Sequence, residues 1–187
     1  GYERETTMRE RVRESGLPLV YAHLVGGQDE VVFEGHSFVV GADAEIAGRA
    51  PSFEEKLFYA FVKRSVDAIE VVAERVPERA LDADLWDALV LGVRDYIGKN
   101  GFPGVLLGLS GGIDSGALAA LMVEAGARSL EGITLAYDEF RGRPEDESPM
   151  AARIAAHYGI RHHVRRVTHT EFEADLPPWP MRILLGA

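Results

Sequence analysis

Cysteine is absent from this chain, which removes disulfides and every cysteine-based zinc site. Positive charge is in short supply: 20 Lys and Arg stand against 30 Asp and Glu, a formal net charge of -10. An acidic surface repels both nucleic acid and anionic membrane, so neither is expected as a partner. No apolar run approaches the length of a membrane span, no signal peptide is expected at Gly1, and no internal repeat or low-complexity tract interrupts the sequence. What remains is an apolar fraction of 47% in 187 residues, enough for one full domain or two partial ones with a real core. The composition fits a soluble, cytoplasmic protein, and leaves homo-oligomer formation open.

The informative stretch is residues 104–122, GVLLGLSGGIDSGALAALM. Val105, Leu106 and Leu107 form a brief apolar run suited to a buried parallel strand. Gly111 and Gly112 then permit a sharp turn whose backbone N–H groups share one space, and an Ala/Leu-rich helix is expected to start at or near Ser115. The first amides of a helix lack intrahelical partners and sit at the positive end of its dipole. Strand, turn and helix start together therefore predict an anion site, in which Gly112 is expected to need a positive φ. Ser110 and Ser115 add hydroxyl donors, and Asp114 supplies the hard oxygen that Mg2+ prefers when it bridges phosphates.

Other readings of these letters make different demands. Gly108-Leu109-Ser110-Gly111-Gly112 also fits G-x-S-x-G, the nucleophile elbow of serine hydrolases, with Asp138, Asp146, His157 and His163 downstream as partners. An elbow places its serine against the helix start, whereas Ile113-Asp114-Ser115 is expected to intervene here. The ordinary P-loop lacks its lysine, because nothing from residue 110 to 120 carries a positive charge. A plain Ser/Gly turn does not account for six specific residues in a row. His157, His162, His163 and His169 suggest a metal centre, but adjacent residues of a strand point to opposite faces and no helical His-x-x-x-His pair occurs. Asp138-Glu139 and Gln28-Asp29-Glu30 read as solvated acidic turns.

Ser110-Gly111-Gly112-Ile113-Asp114-Ser115 resembles the PP-loop of the ATP pyrophosphatases, which include the NAD, asparagine, GMP and argininosuccinate synthetases. The resemblance implies a loop formed by Gly108, Leu109, Ser110, Gly111, Gly112, Ile113, Asp114 and Ser115 that grips ATP, with Mg2+ on Asp114. It further implies adenylation of a small-molecule carboxylate, release of pyrophosphate, and attack by ammonia, made from glutamine by a glutaminase. Residues 1 to about 115 resemble glutamine-dependent NAD synthetase, through residues 16–21 (GLPLVY), 25–35 (VGGQDEVVFEG) and 85–89 (LWDAL) into the loop. Residues from about 116 to 176 resemble an asparagine synthetase-type domain, through residues 132–140 (GITLAYDEF), 146–149 (DESP) and 157–163 (HYGIRHH). The join inside a shared motif suggests recombination or two joined fragments.

The implied architecture is α/β: a C-terminal remnant of a nitrilase-like α/β/β/α glutaminase domain over 1–50, a helical connector over 51–80, and the first part of a partial, doubly wound parallel PP-loop sheet over 81–187. The last dozen residues depart from the pattern, and the chain reads as a fragment. Nitrilase-like glutaminases use a cysteine nucleophile, so no catalytic residue for ammonia release can be assigned. The implied function is that of a fragment of an AMP-forming amide ligase, an NAD synthetase amidating nicotinate adenine dinucleotide. The alternatives are an asparagine synthetase acting on the aspartate side chain, a nucleotide-binding fragment without turnover, and the serine hydrolase above.

Local patterns predict the elements. Residues 3–14 read as a charged helix, residues 19–25 as one strand broken by Gly26-Gly27, and residues 31–33 and 37–40 as further strands. Residues 41–44 read as a hairpin turn into a half-exposed edge over 45–50. Leu57, Phe58, Phe61, Val62, Val66 and Ile69 have helical spacing over 53–75. Asp82 or Asp84 caps a helix with a stripe of Leu85, Trp86, Leu89, Val90, Val93, Tyr96 and Ile97. After the loop come a strand at 133–136, a helix opened by Pro149 and closed by Gly159, a strand at 162–167, and a capping box Thr168-x-x-Glu171.

Overall fold

The computed structural model describes residues 2–66 and 68–175. They form two compact units, Gly1–Asn100 and Gly101–Ala187. The atypical C-terminal dozen lies outside the described residues.

In the first unit, helix α1 (Tyr2–Ser15) is followed by β1 (Leu19–Tyr21), β2 (Val25–Gln28), β3 (Val31–Glu34), β4 (Phe38–Val40) and β5 (Ile46–Arg49). Strands β1, β4 and β5 make an antiparallel sheet in that order, and β2 and β3 a separate hairpin. Val12 of α1 packs with Phe38, Val40, Ala44 and Ile46, so the charged helix buries one narrow face. Strand β5 is buried rather than half-exposed. Its Arg49 is held by both carboxylate oxygens of Glu5, at 2.8 Å each, a bidentate bond that raises the guanidinium pKa. Removing one partner of such a pair costs about 3–5 kcal/mol.

Two further expectations are corrected here. Residues 53–75 contain no helix among those described; β6 (Ala60–Arg64) and β7 (Ile69–Ala73) form an antiparallel hairpin. The strand expected over 19–25 is instead broken at residues 22–24, between β1 and β2, and Gly26-Gly27 lies inside β2, on which α2 (Leu81–Lys99) packs. A Cβ on Gly27 would stand 3.0 Å from the Cα of Gly92. The Gly27 amide donates to Asp95 Oδ2 at 2.7 Å, and Lys99 Nζ donates to the Gly27 carbonyl at 2.6 Å. Helix α2 therefore groups with the first unit. Its N-cap is Ala80, not Asp82 or Asp84, and its buried residues are Val90 and Leu91 while Leu85, Leu89 and Tyr96 stay exposed.

The second unit is the parallel β-α-β-α-β run: β8 (Val105–Gly108), α3 (Ile113–Glu124), β9 (Leu130–Tyr137), α4 (Ser148–Tyr158), β10 (Arg161–Val167) and a short α5 (His169–Asp175). The strand order is β10-β9-β8, all parallel, as in one half of a doubly wound sheet. Leu107 and Leu109 meet Ala119 of α3, Ala151 and Ala155 of α4, and Ile160 in one core. Small alanine side chains let both helices approach the same sheet face, and each buried leucine contributes about 1.5–3 kcal/mol. Gly159 closes α4 at φ +67 and Thr168 and Glu171 form a reciprocal capping box, both as expected.

Candidate phosphate-binding site

The apolar run of β8 ends at Gly108, and the chain leaves the sheet at Leu109. Leu109 is 2% exposed, its side chain part of the core, so it offers the loop only its backbone. From there a closed circuit of hydrogen bonds shapes the turn. The Gly112 amide donates to Ser110 Oγ at 3.3 Å, Ser110 Oγ lies 3.1 Å from Ser115 Oγ, and Ser115 Oγ donates to the Gly112 carbonyl at 3.3 Å. The Ser110 amide also points at Ser115 Oγ, at 3.3 Å. These are long bonds, weak enough for an anionic oxygen to take over the donors.

Helix α3 begins at Ile113, two residues earlier than its sequence suggests, with Gly112 as an N-cap that supplies no side-chain bond. The amides of Ile113, Asp114 and Ser115 thus form the helix's first turn, where they have no intrahelical acceptor. The positive φ falls at Gly111, +99°, whereas Gly112 has φ -76°. A Cβ on Gly111 would come 2.8 Å from Met150 Cβ and 3.2 Å from the Ala151 nitrogen, while one on Gly112 would meet only Ser110 Oγ at 3.5 Å. The turn needs glycine at Gly111 because α4 presses against it; at Gly112 the open side faces solvent.

Asp114 is exposed in the first turn of α3. Among the described residues no three His, Asp or Glu side chains gather into a metal cluster. A single exposed carboxylate is nevertheless a donor set that Mg2+ uses where phosphates and water complete its shell. Asp138 and Glu139 follow β9 as an exposed turn, Glu139 lying 3.5 Å from His169 Nδ1.

The elbow reading fails on partners. Ser110 bonds to Ser115 and Gly112, and Asp146, His157 and His163 of the four named partners make contacts elsewhere. Asp146 Oδ1 accepts from the Ser148 hydroxyl and amide at the start of α4, His163 Nε2 lies 2.9 Å from Glu131 on the other face of the sheet, and His157 stacks edge-on with Tyr158. His162 points to the helix-covered face, where its Nε2 lies 2.7 Å from Thr134 Oγ1. Thr134, 3% exposed, donates to the Leu109 carbonyl at 2.5 Å. Sequence reasoning missed this Thr134 and His162 pair, since nothing in the letters shows which face of β9 and β10 is covered.

With this geometry in view, the model of the carbon-nitrogen hydrolase family matches residues 1–68, and that of asparagine synthase matches residues 103–182. The glutamine-dependent NAD(+) synthetase of Acinetobacter baylyi is 37% identical over 84% of this chain and 29% of its own length. That of Rhodobacter capsulatus is 40% identical over 78% and 27%. The solved glutamine-dependent NAD+ synthetase of Acinetobacter baumannii, in complex with ADP, superposes with a TM-score of 0.80 at 32% identity, covering all of this chain and 34% of that one. Over most of its length, this chain is similar to the glutamine-dependent NAD(+) synthetases. It spans about a third or less of the length of these relatives. A match over 84% of 187 residues runs well past residue 115, so the likeness to NAD synthetases overlaps the asparagine synthase match and does not stop at the loop.

Proposed function

We propose that this chain is the part of an AMP-forming, glutamine-dependent amide ligase that holds the phosphates of ATP, with nicotinate adenine dinucleotide as the carboxylate. The observation that carries the reading is the convergence, at the carboxyl end of β8, of loop hydroxyls and free first-turn amides without a lysine. Such donors suit a pyrophosphate that departs as a unit. A carboxylate oxygen of the acceptor attacks the α-phosphorus, AMP moves to the carboxylate, and the bond to the leaving pyrophosphate breaks. An amine then displaces AMP. Ser110, Gly111, Gly112, Ile113 and Ser115 receive the pyrophosphate oxygens, Gly108 and Leu109 fix where the loop leaves the sheet, and Asp114 would hold Mg2+, which supplies charge neutralisation on those oxygens. A chain without cysteine has no thiol to release ammonia from glutamine, so the amine comes from another segment or from solution.

The asparagine synthase match over residues 103–182 favours a second acceptor, the side chain of aspartate. Product analysis decides between them. The full-length protein, supplied with ATP, nicotinate adenine dinucleotide and ammonia, is expected to yield NAD+, AMP and pyrophosphate in equal amounts. Asparagine formed from aspartate instead would establish the second reading, and stoichiometric ADP would overturn both.

A further inference from the structure

We propose that Thr134 and His162 are positioning residues that set the aim of the phosphate loop by locking its first peptide. The inference rests on the reading of residues 108–115 as a phosphate cradle. It begins with a proton count. The Leu109 carbonyl can only accept, so the single hydroxyl proton of Thr134 goes to it over the 2.5 Å contact. Thr134 Oγ1 must then accept from its other neighbour, and His162 Nε2, 2.7 Å away, carries the hydrogen. The imidazole is fixed as the Nε2–H tautomer, and a chain of two bonds runs from β10 through β9 to the end of β8.

The consequence lies in the planarity of the peptide. The Leu109 carbonyl and the Ser110 amide belong to one rigid trans unit and point in opposite directions. With the carbonyl drawn toward the helix-covered face by Thr134, the amide is turned toward Ser115 Oγ and the cradle, where it is found. The loop's first donor therefore owes its direction to side chains on two other strands. Leu109 is already past the last ladder pair, Gly108 with Ile133, and its own amide donates to the Ile133 carbonyl at 2.8 Å. Both sides of Leu109 are thus tied to β9, one by backbone and one by the Thr134 hydroxyl. Thr134 is buried, and its hydroxyl would be costly there without these two bonds.

Amide hydrogen exchange and nucleotide titration on this chain test the proposal. Thr134→Val keeps the shape and removes the hydroxyl. It should speed exchange at the Ser110 amide about tenfold and weaken Mg-ATP binding by about tenfold, with exchange in the middle of β9 unchanged. Thr134→Ser should restore both. Nitrogen-15 shifts of His162 should report the Nε2–H tautomer in the parent chain and lose that preference in Thr134→Val. Unchanged Ser110 exchange in Thr134→Val, or equal acceleration throughout the sheet, overturns the positioning role. Absence of ATP binding by the parent chain overturns the cradle reading instead, and the exchange result then judges the lock by itself.

Discussion

Gly27 and Gly92 face each other across the β2 and α2 contact with only backbone between them: a Cβ on Gly27 would lie 3.0 Å from the Gly92 Cα. The methyl group of Gly27→Ala would have to push the helix away, and we expect a loss of about 1–3 kcal/mol of stability. Gly92→Ala meets only the Val32 Cγ2 methyl, at 3.2 Å, and should cost less. Urea denaturation of the two variants checks the order. A Gly92→Ala variant less stable than Gly27→Ala would contradict the packing described.

A parallel contrast exists in the phosphate loop. Gly111→Ala combines a left-handed backbone with a 2.8 Å encounter with Met150, so it should lower the melting temperature and abolish nucleotide binding together. Gly112→Ala has ordinary φ and open space, and is expected to fold normally while weakening ATP binding through crowding of the phosphate alone. Equal thermal stability of Gly111→Ala and the parent would refute this assignment.

Asp114→Asn keeps the side-chain shape and removes the charge. A carboxylate facing phosphate is repulsive unless a divalent cation lies between them. The variant should therefore lose most of the Mg-dependence of ATP binding and bind metal-free ATP as well as the parent, or better. Calorimetry with and without Mg2+ is the measurement, and an unchanged Mg-dependence would remove Asp114 from the metal site.

Asp95 gives a pH dependence with a definite sign. Burial pushes its pKa up, but the Gly27 amide and the Lys99 ammonium together outweigh burial and leave it below the ordinary value. A carboxyl depressed by folding adds stability above its unfolded pKa of about 3.9 and loses it as pH falls through the folded value. Between pH 7 and pH values below about 4, the parent should thus lose more stability than Asp95→Asn. Identical slopes in urea melts would show that the Gly27 contact contributes nothing through charge.

The sequence exposed the second unit more fully than the first, for identifiable reasons. Around the loop, local signals agree with one another: an apolar strand, paired glycines, Pro149 and Gly159 at the ends of a helix, and a capping box at Thr168. The failures are places where a partner decides. Phe61, Val62, Val66 and Ile69 satisfy helical spacing, yet β-branched and aromatic content was the better guide to the hairpin that forms. Gly26-Gly27 looked like punctuation because the helix that needs them lies some 65 residues later, as Gly92 and Asp95. The exchange of roles between Gly111 and Gly112 has the same origin, since it is the start of α4, at Met150 and Ala151, that presses on Gly111 and not on Gly112.

The three-stranded sheet carries its helices on one face, and on the other Leu106, Ile133 and Leu135 stay 66%, 37% and 58% exposed. Parallel sheets usually bury both faces. Unfolding this unit is therefore expected to uncover less new apolar surface than unfolding a unit of the same length covered on both faces, with a smaller heat-capacity change. A smaller heat-capacity change is expected to flatten the curvature of its stability against temperature.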